Sequence, residues 1–243
     1  MKKSVIGLMI SMVMLFTAIT PLHANAASNG RIIDVNGIVF EITGEPNLSR
    51  SGQNDQFTFR TVSPVNNPDV DRADVIRALD TLTSELTGAN GIAPRSARWL
   101  HDSRTQNFGD GAFEVVFSDT SSRDRGFTTV TIFYDGWSRA MWTGFNPWTM
   151  DRLELNDFVT FNGMAVSASI GNGGGSVSGS GTARTVEMRS GENNAWIIQN
   201  FYSNLQATSN VGLFSVNKRT EGVFRTAGRN HFVNTNDSVN FGL

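Results

Sequence analysis

The sequence predicts an α+β fold, in which a mixed or antiparallel sheet packs against helices. Residues 128–134 are β-branched or aromatic without a break, which suits a pleated and buried strand. Residues 69–86 carry apolar side chains at three- and four-residue steps, which is typical of an amphipathic helix. The chain shows neither an internal repeat nor a separating linker, so residues 27–243 are expected to form one domain.

Residues 1–26 have the pattern of a secretory signal peptide. Two lysines at the start precede an apolar run over residues 5–19, and residues 24–26 (Ala-Asn-Ala) have the small-x-small form of a cleavage site. A membrane anchor is the alternative, but the apolar run is short and Pro21 follows it. The sequence therefore predicts a secreted protein, and the short charged start suits a bacterial secretory route.

The composition limits which bonds, partners and metal sites are expected for this chain. There is no cysteine, so an exported chain must be held together by its core rather than by disulfides. Without Lys2 and Lys3 the charge balance changes from 20 − 22 to 18 − 22, or −4, which does not favour nucleic acid. His101 and His231 have no second ligand at metal-binding spacing, so neither a metal nor another cofactor is expected.

Lysine is scarce after the signal peptide, where Lys218 is the only one among 17 arginines. Codon bias is one explanation. The other is that arginine keeps the positive charge and the forked donor geometry while offering no site for ubiquitination.

The first half of the chain gives clear signals for each element. Residues 31–43 place apolar runs on either side of Asn36-Gly37, which predicts a hairpin. Residues 56–62 alternate as a strand does, and Asp71 can cap the helix that follows. Further strands are predicted over residues 95–100, 112–117, 127–133, 153–161 and 164–170.

Residues 126–145 are predicted to form a tryptophan-rich hairpin that turns at Asp135-Gly136. Trp142 lies on its return strand. The five tryptophans of the chain fit core packing, and they also fit a surface on which a base or a sugar could stack. On the second interpretation Trp142 is a contact residue whose loss abolishes binding without unfolding the chain.

The last third is less regular. Residues 171–181 are predicted to be a flexible glycine-rich loop, and residues 193–207 have apolar side chains at roughly helical spacing. The secondary structure of residues 220–225 is ambiguous. Residues 229–242 are predicted to form a hairpin around residues 235–237.

Taken in order, these segments resemble the ribosome-inactivating proteins, particularly the Shiga toxin A chain. The resemblance spans residues 56–243 and rests on element order and on short motifs, among them QFTFRTV, ADVIRALDTL, GFTTVTIFYDG, AMWTGF, LNDFVTFNG, TARTVEMRSG and GRNHFVNTNDSVNFGL. It implies the α+β fold of that family and a secreted rRNA N-glycosylase that removes one adenine from large ribosomal RNA. Ribosomal RNA would be its partner, and a separate cell-binding subunit is possible for such a toxin.

The resemblance also implies a catalytic pair. The family uses Glu-x-x-Arg on a helix, and the nearest match here is Glu221 with Arg225, which an α-helix would place on one face. An exposed ion pair of small energetic value is the alternative interpretation. The two stacking tyrosines of the family are absent, because their positions hold Met141 and the Ser180-Gly181 dipeptide.

Two other functions fit the sequence. One is a non-catalytic secreted binding or adhesion protein that uses the tryptophan-rich hairpin. The other is an inactive relative of the toxins that binds RNA or a partner.

Overall fold

Long antiparallel strands make up most of the molecule. The computed structural model describes residues 31–43, 58–65, 70–86, 97–169, 175–179 and 181–241. Within them two antiparallel sheets are accompanied by a single helix. The predicted α+β fold with several packed helices is therefore wrong, and the predicted signal peptide lies outside the described residues.

The elements in chain order are β1 (Arg31–Val35), β2 (Ile38–Thr43), β3 (Thr58–Pro64), α1 (Arg72–Leu86), β4 (Arg98–Phe108), β5 (Gly111–Arg125), β6 (Val130–Trp142), β7 (Met150–Met164), β8 (Ser167–Ser169), β9 (Gly175–Ser178), β10 (Ala183–Ala195), β11 (Ile197–Ser209), β12 (Gly212–Thr226) and β13 (Arg229–Asn240). The first sheet has the order β1-β2-β3-β11-β6-β5-β4, with β8 also paired to β11. The second has the order β13-β12-β7-β10-β9.

The two sheets face one another across a buried interior. Along β5, β6, β7 and β12, buried side chains alternate with more exposed ones, as expected for strands with one covered face. The buried apolar residues form two clusters, one around Trp142, Leu155 and Phe224 and the other around Phe161 and Val216. The protein is thus a β-sandwich whose interior has two apolar ends.

The helix predicted over residues 69–86 is confirmed as α1. The Asp71 carboxylate accepts the N–H of Ala73 at 2.9 Å, which satisfies one of the free donors at the helix start. Leu79 and Leu82 are buried among residues of the first sheet, and Asp80 accepts a hydrogen bond from Arg139 of β6 at 2.6 Å. α1 therefore covers the outer face of that sheet.

The hairpin predicted over residues 31–43 is confirmed, with Asn36 and Gly37 both at positive φ between β1 and β2. The hairpin predicted around residues 235–237 is wrong, because β13 runs through those residues without a break. The observed hairpin is formed by β12 and β13, and it turns at Ala227 and Gly228, which also have positive φ.

Residues 193–207, predicted to have helical spacing, instead contribute to β10 and β11. β11 is central in the first sheet, paired to both β3 and β6, with α1 on one side and the second sheet on the other. Residues 197–202 are consequently all buried. A strand covered on both faces loses the two-residue alternation that distinguishes it from a helix.

The turn predicted at Asp135-Gly136 is also wrong, because β6 is continuous through both residues. The Asp135 carboxylate accepts the N–H of Asn204 at 2.7 Å, where the register of β11 shifts by a bulge. Gly136 faces Asp119 of β5, and a Cβ at this position would lie 2.0 Å from the Asp119 Oδ1 atom. Asp135 therefore supports the bulge in β11, and Gly136 allows Asp119 to approach closely. The dipeptide does not reverse the chain.

Gly136→Ala is expected to lower the free energy of unfolding by about 1–3 kcal/mol, because the added methyl group must displace a fully buried carboxylate. Urea titration monitored by tryptophan fluorescence measures this change. Gly126→Ala is the matched control, since its Cβ would lie 3.1 Å from the nearest atom, a side-chain oxygen of Thr129. Equal stability of the Gly136→Ala variant and the wild type would contradict the prediction.

Candidate functional site

The predicted catalytic pair lies on a strand. Glu221 and Arg225 both belong to β12, where they are paired with Asn156 and Arg152 of β7. Four residues along a strand span about 13 Å, so these side chains are not neighbours as they would be on a helix. Glu221 is half-buried and accepts a hydrogen bond from the Asn156 amide at 3.3 Å, whereas Arg225 is exposed. The helical placement is therefore wrong, and the structure does not bring the pair together.

The tryptophan-rich segment mainly stabilises the fold. Trp142 is 0% exposed, so it cannot be the surface contact that the sequence suggested. The Arg72 guanidinium lies over the rings of Trp148 and Trp196, at 4.1 and 4.7 Å. It also donates to the carbonyl oxygens of Trp142 and Gly144, at 3.1 and 2.6 Å. This arrangement fastens the start of α1 to the end of β6.

A buried charged centre lies between the two apolar clusters. It consists of Asp119 on β5 of the first sheet, with Asp157 on β7 and Lys218 on β12 of the second. The Lys218 Nζ atom is 2.6 Å from Asp157 Oδ1 and 3.9 Å from Asp119 Oδ2. All three side chains are fully buried, so the ion pairs are shielded from water and from salt.

Four donors hold the Asp157 carboxylate. Its Oδ1 atom accepts hydrogen bonds from the Lys218 ammonium and from the Thr220 hydroxyl, at 2.6 and 2.8 Å. Its Oδ2 atom accepts from the Ser138 hydroxyl at 2.6 Å and from the Asn200 amide at 2.8 Å. Because both oxygens are occupied, the carboxyl carbon has a fixed orientation towards Lys218.

Asp119 is held differently, by the two tyrosines of the chain. The hydroxyls of Tyr134 and Tyr202 each donate to one of its carboxylate oxygens. Burial raises the pKa of Asp119 to about 7, while Lys218 and the two hydroxyls act in the opposite direction. Burial and the neighbouring Asp119 carboxylate raise the pKa values of both tyrosines, so their hydroxyls stay protonated as donors.

Aromatic rings enclose the amine. Lys218 Nζ lies 4.4 Å from the ring centre of Tyr202 and 5.7 Å from that of Phe117. Together with the adjoining apolar clusters, these rings give the centre a low effective dielectric, which strengthens electrostatic effects and makes unpaired charge costly.

This centre was not predicted from the sequence, although two signals could have indicated it. Asp157 interrupts the inward apolar positions of β7, between Leu155 and Val159, and Asp119 does the same beyond Phe117 on β5. A carboxylate at an apolar position of a strand needs a buried partner. Lys218, the only lysine after residue 3, could have been identified as that buried partner.

A second feature is the end of the sandwich formed by the β5–β6 and β11–β12 connections, called here the arginine groove. Its volume is about 350 Å³, and it is lined by Arg123, Arg125, Phe127 and Asn210, among others. The Phe127 side chain is fully exposed. Arg98 is adjacent, because β4 pairs it with Ser121, two residues before Arg123.

The groove concentrates positive charge in a chain whose overall charge is negative. Partial burial lowers the pKa of Arg123, and the like charges of Arg125 and Arg98 lower it further. The Arg123 guanidinium also lies 5.6 Å from the ring centre of Phe241. Like charges held together at a concave site favour an anionic ligand, which would relieve their repulsion.

No cluster of three His, Asp or Glu side chains suited to a metal ion occurs within the described residues. In the same part of the chain, no helix is both long and apolar enough to cross a membrane.

Comparison with known proteins does not place the chain in a family. No family model matches it, and no curated protein does so. Five chains of solved structures match, one of which is described as the complete structure of manganese lipoxygenase of Gaeumannomyces graminis and partial structure of zonadhesin of Komagataella pastoris. That match covers 84% of this chain and 87% of the other at 8% identity. Its TM-score of 0.21 is too low to indicate a shared fold or function.

Proposed function

We propose that this protein is a secreted, non-catalytic binding protein that recognises an acidic saccharide in the arginine groove. The observation that carries the proposal is the meeting of Arg98, Arg123 and Arg125 at one open end of the sandwich, beside an exposed phenylalanine. This is the binding or adhesion function considered from the sequence, moved from the tryptophan-rich segment to the opposite connection of β6.

The lining of the groove suits the chemistry of such a ligand. A guanidinium presents two parallel N–H donors that match a carboxylate or a sulfate. The exposed Phe127 ring offers an apolar surface to the C–H face of a sugar ring, and the polar side chains of Thr128, Thr129 and Asn210 can bond its hydroxyls. Guanidinium groups bind a carboxylate or a sulfate more strongly than they bind neutral hydroxyls, so the acidic class is preferred.

Binding of an acidic oligosaccharide, such as a polyuronate, is expected to weaken at least tenfold in the Arg123→Ala/Arg125→Ala variant. Each charge-assisted hydrogen bond contributes about 1.5–3 kcal/mol, and tenfold corresponds to about 1.4 kcal/mol. Isothermal titration calorimetry at low and high salt measures the affinity and its screening. Arg104→Ala on the exposed side of β4 is the matched control, and equal weakening by both variants would contradict a defined site.

The rRNA N-glycosylase function stays a prediction of the sequence resemblance. Its test is the release of free adenine from purified ribosomes. Under our proposal no adenine is released, and the saccharide binds. Adenine release that Glu221→Gln abolishes would overturn the proposal and restore the toxin interpretation.

A further inference from the structure

We propose that Lys218 and Asp157 become joined by an intramolecular amide bond that the folded chain forms by itself, with Asp119 as the proton carrier. This modification goes beyond the binding function and does not depend on it. The three side chains lie together between the sheets at the distances that such a reaction requires.

The first requirement is an amine held against a carboxyl group. Lys218 and Asp157 lie on the paired strands β12 and β7, where Lys218 is opposite Val159, two residues from Asp157. Both side chains point into the sandwich, and Nζ is 2.6 Å from Oδ1. Holding two reactants in a fixed close contact replaces an encounter in solution with a reaction inside one molecule.

The second requirement is a reason for the amide to be favoured over the ions. In water the amide is the less stable form, because free ions are well solvated. Here the unreacted state keeps an ammonium and carboxylates away from water, which costs free energy even when they are paired. Condensation removes one charge of each sign and leaves a neutral amide whose oxygen Ser138 and Asn200 can still bond.

The third requirement is a group that moves protons. Asp119 approaches from the opposite sheet, with Oδ2 3.9 Å from Lys218 Nζ. Its raised pKa, about 7, allows it to take up and return a proton near neutral pH. The hydroxyls of Tyr134 and Tyr202 fix its orientation, and the absence of a Cβ at Gly136 leaves room for it.

The reaction balances without an oxidant or any other reactant. The Lys218 ammonium gives one proton to Asp157 Oδ1, which leaves an amine and a carboxylic acid. The Nζ lone pair attacks the Asp157 Cγ atom, and the electron pair of the C=O bond moves to Oδ2. Asp119 takes a second proton from the nitrogen and passes it to the Oδ1 hydroxyl. The C–O bond then breaks, one water leaves, and the carbonyl re-forms while the third proton stays on the amide nitrogen.

The hydrogen bonds on Oδ2 fit this sequence of steps. The Ser138 hydroxyl and the Asn200 amide both donate to that oxygen, on which negative charge develops during the attack. Fixed donors at such a position stabilise the tetrahedral intermediate. Asn200 is itself held, because its Oδ1 atom accepts from Ser190 at 2.7 Å and from Thr61 at 3.0 Å.

The bond would be a covalent cross-link in a chain that has no cysteine. It would tie β7 to β12 in the second sheet and restrict the unfolded chain, as a disulfide does. A secreted protein would gain this stability without requiring an oxidising environment.

The experiment is the intact mass of the purified wild-type protein, compared with the mass calculated from its measured N-terminus. We expect the protein to be lighter by one water molecule. Lys218→Arg and Asp119→Asn are expected to have the full mass. Asp135→Asn is the matched control, since it makes the same chemical change at a neighbouring, half-buried carboxylate and should keep the loss of water.

Three outcomes of the mass measurement would contradict the proposed bond or the role of Asp119. A wild-type protein of full mass overturns the bond, whether or not any variant folds. A loss of water that persists in Lys218→Arg assigns it to another site, such as a succinimide at an aspartate, and also overturns the bond. A cross-link that forms normally in Asp119→Asn overturns the role of Asp119.

Discussion

Trp142→Ala is expected to lower the free energy of unfolding by about 3–5 kcal/mol, the range for removing a large aromatic side chain from a core. The indole is fully buried, and its ring centre lies 5.1 Å from that of Phe113 and 6.1 Å from that of Phe108. Its Nε1–H donates to the Pro147 carbonyl oxygen at 2.7 Å. The variant would therefore leave a cavity and also an acceptor without its donor.

Chemical denaturation measures this loss, with Trp99→Ala as the control. Trp99 is 68% exposed on β4, so its removal should change stability by no more than about 0.5 kcal/mol. Comparing the two variants distinguishes a packing role of Trp142 from a role in surface recognition. A stable Trp142→Ala variant that had lost only ligand binding would support the surface role suggested by the sequence and contradict its burial.

Lys218→Met is expected to lower the free energy of unfolding by at least about 3 kcal/mol, because two buried carboxylates would lose their cation. The variant also cannot form the proposed amide bond, which adds to this loss. Adding Asp157→Asn to Lys218→Met removes one uncompensated charge and is expected to recover part of the stability.

Arg219→Met is the matched control for this change. Arg219 is the next residue of β12, and its exposed guanidinium lies 4.1 Å from the ring centre of Phe158. An exposed contact of this kind contributes about 0.5–1 kcal/mol. Equal effects of the two substitutions in urea titrations would show that burial of Lys218 has no special consequence and would contradict the charged centre.

Elements that local patterns decide could be predicted from the sequence. The Asn36-Gly37 turn follows from the φ values that glycine and asparagine tolerate, and α1 follows from apolar residues at helical spacing. Features that tertiary structure decides could not be predicted in this way. β11 is covered on both faces, and Gly136 is needed for an approach by Asp119 from the neighbouring strand. Neither circumstance is visible within a window of a few residues.

The candidate site was out of reach for a related reason. Asp119, Asp157 and Lys218 are far apart in the chain, and only the pairing of β7 with β12 and the stacking of the sheets bring them together. The resemblance to ribosome-inactivating proteins predicted Glu221 and Arg225 as the site instead. That prediction required a helix, whereas both residues lie on strand β12. A buried carboxylate on an apolar strand was the stronger signal, because it requires a partner whatever the fold.

The most direct test of a reactive centre within this sandwich is a tryptic digest analysed by tandem mass spectrometry. Trypsin cleaves after arginine and free lysine but not after an acylated lysine. An amide bond between Lys218 and Asp157 predicts one branched species in which residues 190–219 are joined through Lys218 to residues 153–184 at Asp157. Recovery of separate linear peptides, 153–184 and 190–218, at full yield from the wild-type protein would contradict it.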